Sequence, residues 1–329
     1  MNFKSRNQYS FLQKLIHKTI LGSTYFKKLT FKFEKSMFLK SIIENESSHI
    51  FIIGLARSGT TLLLNGLYKS GNFASLTYND MPFPLAPNFW ALLNKTNQNL
   101  SPTERIHKDG IMVDNNSPES FEEVFWSTYE NDDEMVNFNM FISSILKKNK
   151  KDRYLSKNNQ SIRRIQKISK YLNSCLILVP FRDPLQQCLS LKKQHNRFIK
   201  MQNEDQFITD YMQLICHREF GVTYRPFFPD VMKYDNFLEI NHWLEQWYFS
   251  YDYVFNEMNY DNSIHLVSYE KLCKDSSTWN NILEIADIKV IIDINAKLPK
   301  KHKENFMYLD KKLLKNCHDL YSDMLDKSL

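Results

Sequence analysis

The sequence predicts an α/β fold, a three-layer domain with a mostly parallel central sheet and large helical insertions. Three observations carry that expectation. Short apolar runs at 50–53, 175–181 and 263–267 read as buried strands. Each is followed by a helical pattern, the alternation expected of a parallel sheet. Turn-forming residues stand at the junctions, Gly54 and Gly59 after the first run and Asp183-Pro184 after the second.

Taken in order, the first 45 residues read as a basic, partly helical extension, and residues 46–329 as a single domain. Leu12, Leu15, Ile16 and Ile20 recur at helical spacing and predict an amphipathic helix over 8–21. After the first strand, Leu62, Leu63, Leu64, Leu67 and Tyr68 continue a helix that opens at Thr60. The prolines in Asn79-Asp80-Met81-Pro82-Phe83-Pro84 predict a loop. Ser117-Pro118-Glu119 has the pattern of a helix start, with the helix running to Trp126. Helices are expected at 161–172, from Pro184 toward Lys200, at 203–218, at 239–258 and from Ser276.

Composition narrows the function. With 329 residues, 43% apolar and 24% charged, the chain can bury a large core. Its longest apolar stretches fall well short of the ~18 residues that suggest a spanning helix. Lys14, Lys18, Lys27 and Lys28 interrupt every candidate secretory segment, so a cytoplasmic location is expected. Five cysteines, Cys175, Cys188, Cys216, Cys273 and Cys317, form no C-x-x-C pair, and neither a disulfide framework nor a metal site is expected. The net charge of +6 is unevenly placed: residues 1–40 hold nine bases against one acid, Glu34, and the rest holds 34 bases against 36 acids. The near-neutral remainder argues against a broad nucleic-acid surface, while the basic arm suits peripheral contact with an anionic membrane.

The chemistry concentrates in Gly54-Leu55-Ala56-Arg57-Ser58-Gly59-Thr60-Thr61, which has P-loop glycine spacing between a strand and a helix. Such a loop cradles oxyanions, because glycine lets the backbone approach the ligand and the helix N-terminus adds favourable potential. A nucleoside-triphosphate kinase or hydrolase needs lysine after the second glycine, and this chain has Thr60 there. The nearby cation is Arg57, inside the loop.

These residues resemble the sulfotransferase family, whose 5′-phosphosulfate loop reads as Arg or Lys followed by Ser-Gly-Thr-Thr or a close variant, directly after a strand. A second element agrees: the strand at 175–181 runs into Arg182-Asp183-Pro184, with Ser190 eight residues after the arginine, as in that family's 3′-phosphate element. Lys157-Asn158 and Tyr269-Glu270-Lys271-Leu272 are lesser matches, and the stretch from Glu104 to Glu119 is similar to bacterial members. The resemblance covers about residues 48–285 and implies a P-loop-like fold.

The resemblance further implies transfer of a sulfuryl group from 3′-phosphoadenosine 5′-phosphosulfate to a hydroxyl or amine, with no metal required. Arg57 would neutralise charge on the bridging oxygen, and Ser58, Gly59, Thr60 and Thr61 would hold the 5′-phosphosulfate. Arg182 and Ser190 would take the 3′-phosphate, and Lys157 would touch the sulfuryl group or the acceptor. Relatives use His or Glu as the general base; position suggests Asp80, with Asp109 and His107 as the other candidates. The acceptor is left open among carbohydrate, lipid-linked glycan, peptidyl tyrosine and small molecule. The competing readings are a P-loop kinase or hydrolase, and a non-catalytic relative that keeps the loop and binds nucleotide only.

Overall fold

The computed structural model describes residues 11–39, 48–94, 102–104, 111–119, 121–130, 134–172, 174–290 and 308–329. In chain order the elements are α1 (Phe11–Gly22), α2 (Thr24–Phe38), β1 (His49–Ile52), α3 (Thr60–Tyr68), β2 (Phe73–Ala74) and α4 (Pro87–Leu93). There follow β3 (Thr103–Glu104), β4 (Met112–Val113), α5 (Glu123–Trp126), α6 (Glu134–Asn149), β5 (Arg153–Lys157), α7 (Ile165–Tyr171) and β6 (Cys175–Phe181). The last are α8 (Pro184–Glu204), α9 (Gln206–Leu214), α10 (Ile240–Glu257), β7 (Ile264–Ser268), α11 (Tyr269–Lys274), α12 (Ser276–Ile285) and α13 (Lys311–Asp326). The chain forms two compact units, one of residues 1–44, 75–150 and 210–217, the other of residues 45–74, 151–209 and 218–329.

The second unit holds a five-stranded sheet in the order β2-β5-β1-β6-β7, every pair parallel. β1 is buried along its whole length, as a strand covered on both faces must be, so its sequence is a run rather than an alternation. Ile50, Ile52, Leu63, Leu67, Leu178, Trp279 and Ile282 lie in the core that joins the sheet to its helices. Residue Ile52 stands opposite Lys157 on one side and Leu178 on the other. The connection after β1 leads to β2 on one side of the sheet and the connection after β6 leads to β7 on the other, and in such sheets ligands bind in the crevice at the carboxyl ends of the strands where the order reverses. This unit bears out the α/β fold with a mostly parallel central sheet.

The first unit is built on aromatic packing. Phe31, Phe125, Trp126, Phe138 and Phe141 are all fully buried, with Trp126 and Phe138 ring centroids 4.3 Å apart and Phe125 and Phe141 5.0 Å apart. Beside them Glu34 is sealed from solvent and accepts the amides of Asn88 and Phe89, each at 3.0 Å, and the Ser144 hydroxyl at 2.6 Å. Those amides open α4, so Glu34 caps that helix from another one, where a negative charge is favourable.

Two local expectations change. The sequence reading stops the amino-terminal helix at residue 21, yet α2 follows directly, with Ser23 at its N-cap. The buried face of α2 carries Lys27, Phe31 and Glu34, so two charged residues break the apolar stripe that would have announced it. Ser117-Pro118-Glu119 does not open a helix. The Ser117 hydroxyl instead accepts from the Asp114 amide and donates to its carboxylate, both at 2.9 Å, and closes a turn behind itself. Among the described residues no helix is long and apolar enough to cross a membrane, no cluster of ligating side chains is arranged for a metal ion, and no disulfide links the cysteines.

Two buried histidines make stability depend on pH. Burial, aided by the Arg153 charge, lowers the His49 pKa to about 4; burial, aided by His242, does the same to His195. Both stay neutral when folded, whereas the unfolded chain protonates them near pH 6.5. Their contribution is therefore complete above pH 6.5 and is lost as pH falls toward 4, by about 3 kcal/mol each at the lower end. The expected result is a melting temperature that declines over this window in differential scanning fluorimetry. His195→Phe should flatten the decline; an unchanged slope would remove His195 from this account.

Candidate active site

The loop between β1 and α3 turns sharply because two residues within it take left-handed backbone angles, Arg57 at φ 69° and Gly59 at φ 101°. Alternation of this kind gathers successive amide N–H groups toward one side, the arrangement that attracts anions. Gly59 also has no room for a side chain, since a Cβ there would meet the Tyr269 ring at 2.6 Å. At the loop's start Gly54 lies against β6, where a Cβ would meet the Pro180 carbonyl oxygen at 2.8 Å. The second glycine ends the loop as the N-cap of α3, and Thr60 and Thr61 occupy its first turn, both buried.

A layer of buried side chains holds the loop from beneath. The Ser58 hydroxyl donates to the Leu55 carbonyl at 2.7 Å. Gln187, from α8, donates to the Ala56 carbonyl at 3.1 Å and accepts the Trp247 indole N–H at 3.0 Å. The Tyr251 hydroxyl donates to the Pro180 carbonyl at 2.9 Å. All four of these side chains are buried, so the loop's shape is set by a satisfied polar network rather than by the ligand.

Two of the sequence-selected side chains meet directly: the Arg57 Nε donates to the Ser190 hydroxyl at 3.1 Å, across 133 residues of chain. Arg182, at the end of β6, is 7% exposed, with its guanidinium carbon 5.6 Å from the Tyr269 ring centroid and its Nε 3.9 Å from the Glu270 carboxylate. Burial lowers the Arg182 pKa from its ordinary value, with Glu270 opposing the shift and the Arg57 charge adding to it. Arginine remains protonated through such shifts, so two cations share one neighbourhood. An anion between them would relieve that repulsion.

Glu270 orders the corner. Its Oε1 accepts the Asp183 amide at 3.1 Å and its Oε2 accepts the Tyr321 hydroxyl at 3.2 Å, while Asp183 caps α8 through the Gln186 amide at 2.8 Å. Thus the Tyr269-Glu270-Lys271-Leu272 stretch supplies both the ring against Gly59 and the carboxylate facing Arg182. Sequence reading singled out the stretch without these roles. It missed Gln187, Tyr251 and Tyr321, whose partners lie 51 to 131 residues away and leave no local signal.

The remaining candidates fall in different places. Lys157 ends β5, paired with Ile52 two residues before Gly54, and the Asn158 amide donates to the Ile52 carbonyl at 3.1 Å. His107 and Asp109 lie outside the described residues. Asp80, in the first unit, is 1% exposed and its carboxylate is occupied: one oxygen accepts the Thr77 amide at 2.7 Å and hydroxyl at 3.0 Å, the other the Lys148 ammonium at 2.5 Å. A general base needs a lone pair turned to the acceptor. Asp80 commits one oxygen to the turn at Tyr78–Asp80 and the other to Lys148.

Comparison with solved structures finds the same fold in two proteins. Sulfotransferase STF9 from Mycobacterium avium matches with a TM-score of 0.55 at 11% identity, over 98% of this chain and 87% of that one. Sulfotransferase STF1 from Mycobacterium tuberculosis H37Rv matches with a TM-score of 0.52 at 11% identity, over 96% and 83%. Comparison with curated protein sequences finds no match. The profile of the sulfotransferase family aligns with residues 49–240, a span that takes in β1, the anion loop, β6, Arg182 and Ser190. That match covers more than half of the sequence, and the chain belongs to the sulfotransferase family.

Proposed function

We propose that this protein transfers a sulfuryl group from 3′-phosphoadenosine 5′-phosphosulfate to a hydroxyl of its acceptor. Family and fold support sulfotransferase activity. The observation that carries the choice of donor is the pair of neighbouring cations, Arg57 in the loop after β1 and Arg182 directly after the adjacent strand β6, with Ser190 on Arg57. A nucleotide with phosphate at both its 5′ and 3′ positions has one anion for each.

In this reading the amides of Ser58 to Thr61 and the hydroxyls of Thr60 and Thr61 hold the 5′-phosphosulfate, and Arg182 with Ser190 takes the 3′-phosphate. The donor supplies an activated sulfur: its bond to the bridging oxygen breaks as a bond to the acceptor oxygen forms, and the acceptor proton leaves to a base. Arg57 neutralises the charge that grows on the bridging oxygen, and Lys157, at the edge of the neighbouring strand, steadies the sulfuryl oxygens. Placement and charge stabilisation account for such transfers, so a metal ion is not needed for these roles.

Calorimetric titration without magnesium tests the donor. The 3′,5′-adenosine bisphosphate is expected to bind much more tightly than 5′-AMP or ATP. Preference for ATP, or no binding of the bisphosphate, would overturn the reading and favour a kinase or hydrolase.

For the base, the occupied carboxylate of Asp80 supports a structural task and moves the role to His107 or Asp109. Asp80→Asn is expected to lower stability by about 3 kcal/mol, the cost of breaking a buried ion pair, while turnover of the folded protein stays within a few-fold. His107→Ala and Asp109→Asn assayed beside it should include the variant that loses turnover with bisphosphate affinity intact. A folded Asp80→Asn protein without activity would return the role to Asp80.

A further inference from the structure

The second unit contains a cavity of about 570 Å³ that none of the donor residues lines, within the size range of small-molecule sites. Its body is apolar, formed by Ile199, Pro226, Pro229, Met232 and Phe237. Val222 and Phe237, both on its wall, are also substantially exposed to solvent, so the apolar surface continues outward from the cavity.

The polar groups on the wall have a defined sense. Tyr234 offers its carbonyl to His242 Nδ1 at 2.6 Å, which places the proton on Nδ1 and leaves Nε2 as an acceptor. The Tyr224 hydroxyl must then donate to that Nε2, at 2.8 Å, and its oxygen keeps lone pairs for another donor. Asp235 adds a second acceptor, while the Tyr234 hydroxyl is committed to Asp310 at 2.9 Å. Among the described residues no lysine or arginine lines the space.

Behind this wall lies His195, fully buried and in ring contact with Tyr224 at 5.1 Å, Phe237 at 4.8 Å and Trp243 at 5.3 Å. Among the described residues neither of its nitrogens has a hydrogen-bond partner. Burial keeps both His195 and His242 below their ordinary pKa, so neither brings positive charge to the wall at neutral pH.

Position ties the cavity to the donor site. Tyr224 also faces a narrow void whose other walls include Leu55 and Ala56 of the anion loop, together with Trp243 and Leu191. Tyr224 thus lines both the cavity and the void against the loop. The helix that carries Ser190 to Arg57 carries Ile199 to the cavity nine residues later, about 14 Å along its axis.

We propose that this cavity holds the ring of the sulfate acceptor, and that the acceptor is an uncharged, ring-bearing hydroxyl compound rather than an anionic glycan. Apolar walls and prolines cover the ring, and acceptor-only side chains receive its hydroxyl protons. An anion would meet Asp235 and no cation. The role as acceptor rests on the donor reading above, whereas binding to the cavity does not.

The test uses 2-naphthol, 4-nitrophenol and cyclohexanol as neutral probes and 2-naphthoate as an anion of like size, titrated against the full chain by calorimetry and Trp fluorescence. At least one neutral probe is expected to bind below 1 mM, with 2-naphthoate at least ten-fold weaker than 2-naphthol. Val222→Trp, which crowds the cavity from a partly exposed wall position, should weaken neutral binding at least ten-fold and leave bisphosphate affinity unchanged. Tyr224→Phe should weaken it without blocking the space. With the phosphosulfate donor present, a bound probe should become sulfated, and Val222→Trp should lower kcat/KM for it.

Equal or tighter binding of 2-naphthoate, indifference to Val222→Trp, or no binding by any neutral probe would overturn the proposal. Binding with bisphosphate recognition intact but no transfer would overturn the acceptor role. Failure of the bisphosphate to bind the wild-type protein would instead remove the donor reading, and the cavity result would be read from the probe titrations alone.

Discussion

Arg57→Ala is expected to lower turnover by about 10²- to 10³-fold, the range for removing one preorganised group that stabilises transition-state charge. Arg57 holds a left-handed backbone angle of 69°, a strain that arginine, lysine and alanine share. A comparison of Arg57→Lys with Arg57→Ala therefore isolates charge from backbone effects. Lysine should recover part of the rate, though not the hydrogen bond from Nε to Ser190 at 3.1 Å. Ser190→Ala serves as the second control, because it removes that bond and keeps the cation. The measurement is single-turnover transfer at saturating donor, which separates chemistry from nucleotide binding. Normal rates in Arg57→Ala would leave the loop as a binding device only.

Arg182→Ala is expected to weaken 3′,5′-adenosine bisphosphate by about 1.5–3 kcal/mol, or roughly 10- to 150-fold, the worth of a charge-assisted hydrogen bond. The protein should still fold. Glu270 loses its cation but keeps the Asp183 amide and the Tyr321 hydroxyl, so its carboxylate is not stranded. Affinity for 5′-AMP should be unchanged, since that nucleotide has nothing for Arg182 to grip. Arg182→Lys should fall between, because an ammonium keeps the charge and loses the planar fork that matches two phosphate oxygens. Equal bisphosphate affinity in Arg182→Ala and wild type, read by calorimetry, would remove the residue from the site.

The parts of this molecule legible in the sequence are those whose signal is local. Strand β6 is expected at 175–181 and found at Cys175–Phe181, because a run buried on both faces needs no register to be recognised. The loop residues likewise announce themselves, since Gly54 and Gly59 stand where a Cβ would collide with Pro180 and Tyr269. What was not legible depends on partners far along the chain. Helix α2 hides behind Lys27 and Glu34, buried charges whose compensation comes for Glu34 from Asn88, Phe89 and Ser144. Ser117 could cap forward or close a turn backward with the same side chain, and only the fold decides between them. Asp80 has the residue type of a base, and the Lys148 and Thr77 groups that occupy it are visible only in three dimensions.

In the proposed reading, the adjacency of β1 and β6 limits which nucleotides fit. Arg57 sits in the loop that leaves β1 and Arg182 directly follows β6, and these neighbouring strands, as in any sheet, run about 4.8 Å apart. Gly54 packs on Pro180 so closely that not even a methyl group fits, and the Tyr251 hydroxyl fastens the same carbonyl. The two strand ends therefore behave as the jaws of a calliper set at one spacing. On the proposed donor reading, a nucleotide would be gauged by the span between its two anionic ends, so moving the second phosphate from the 3′ to the 2′ ribose oxygen is expected to change the gauge length and weaken binding.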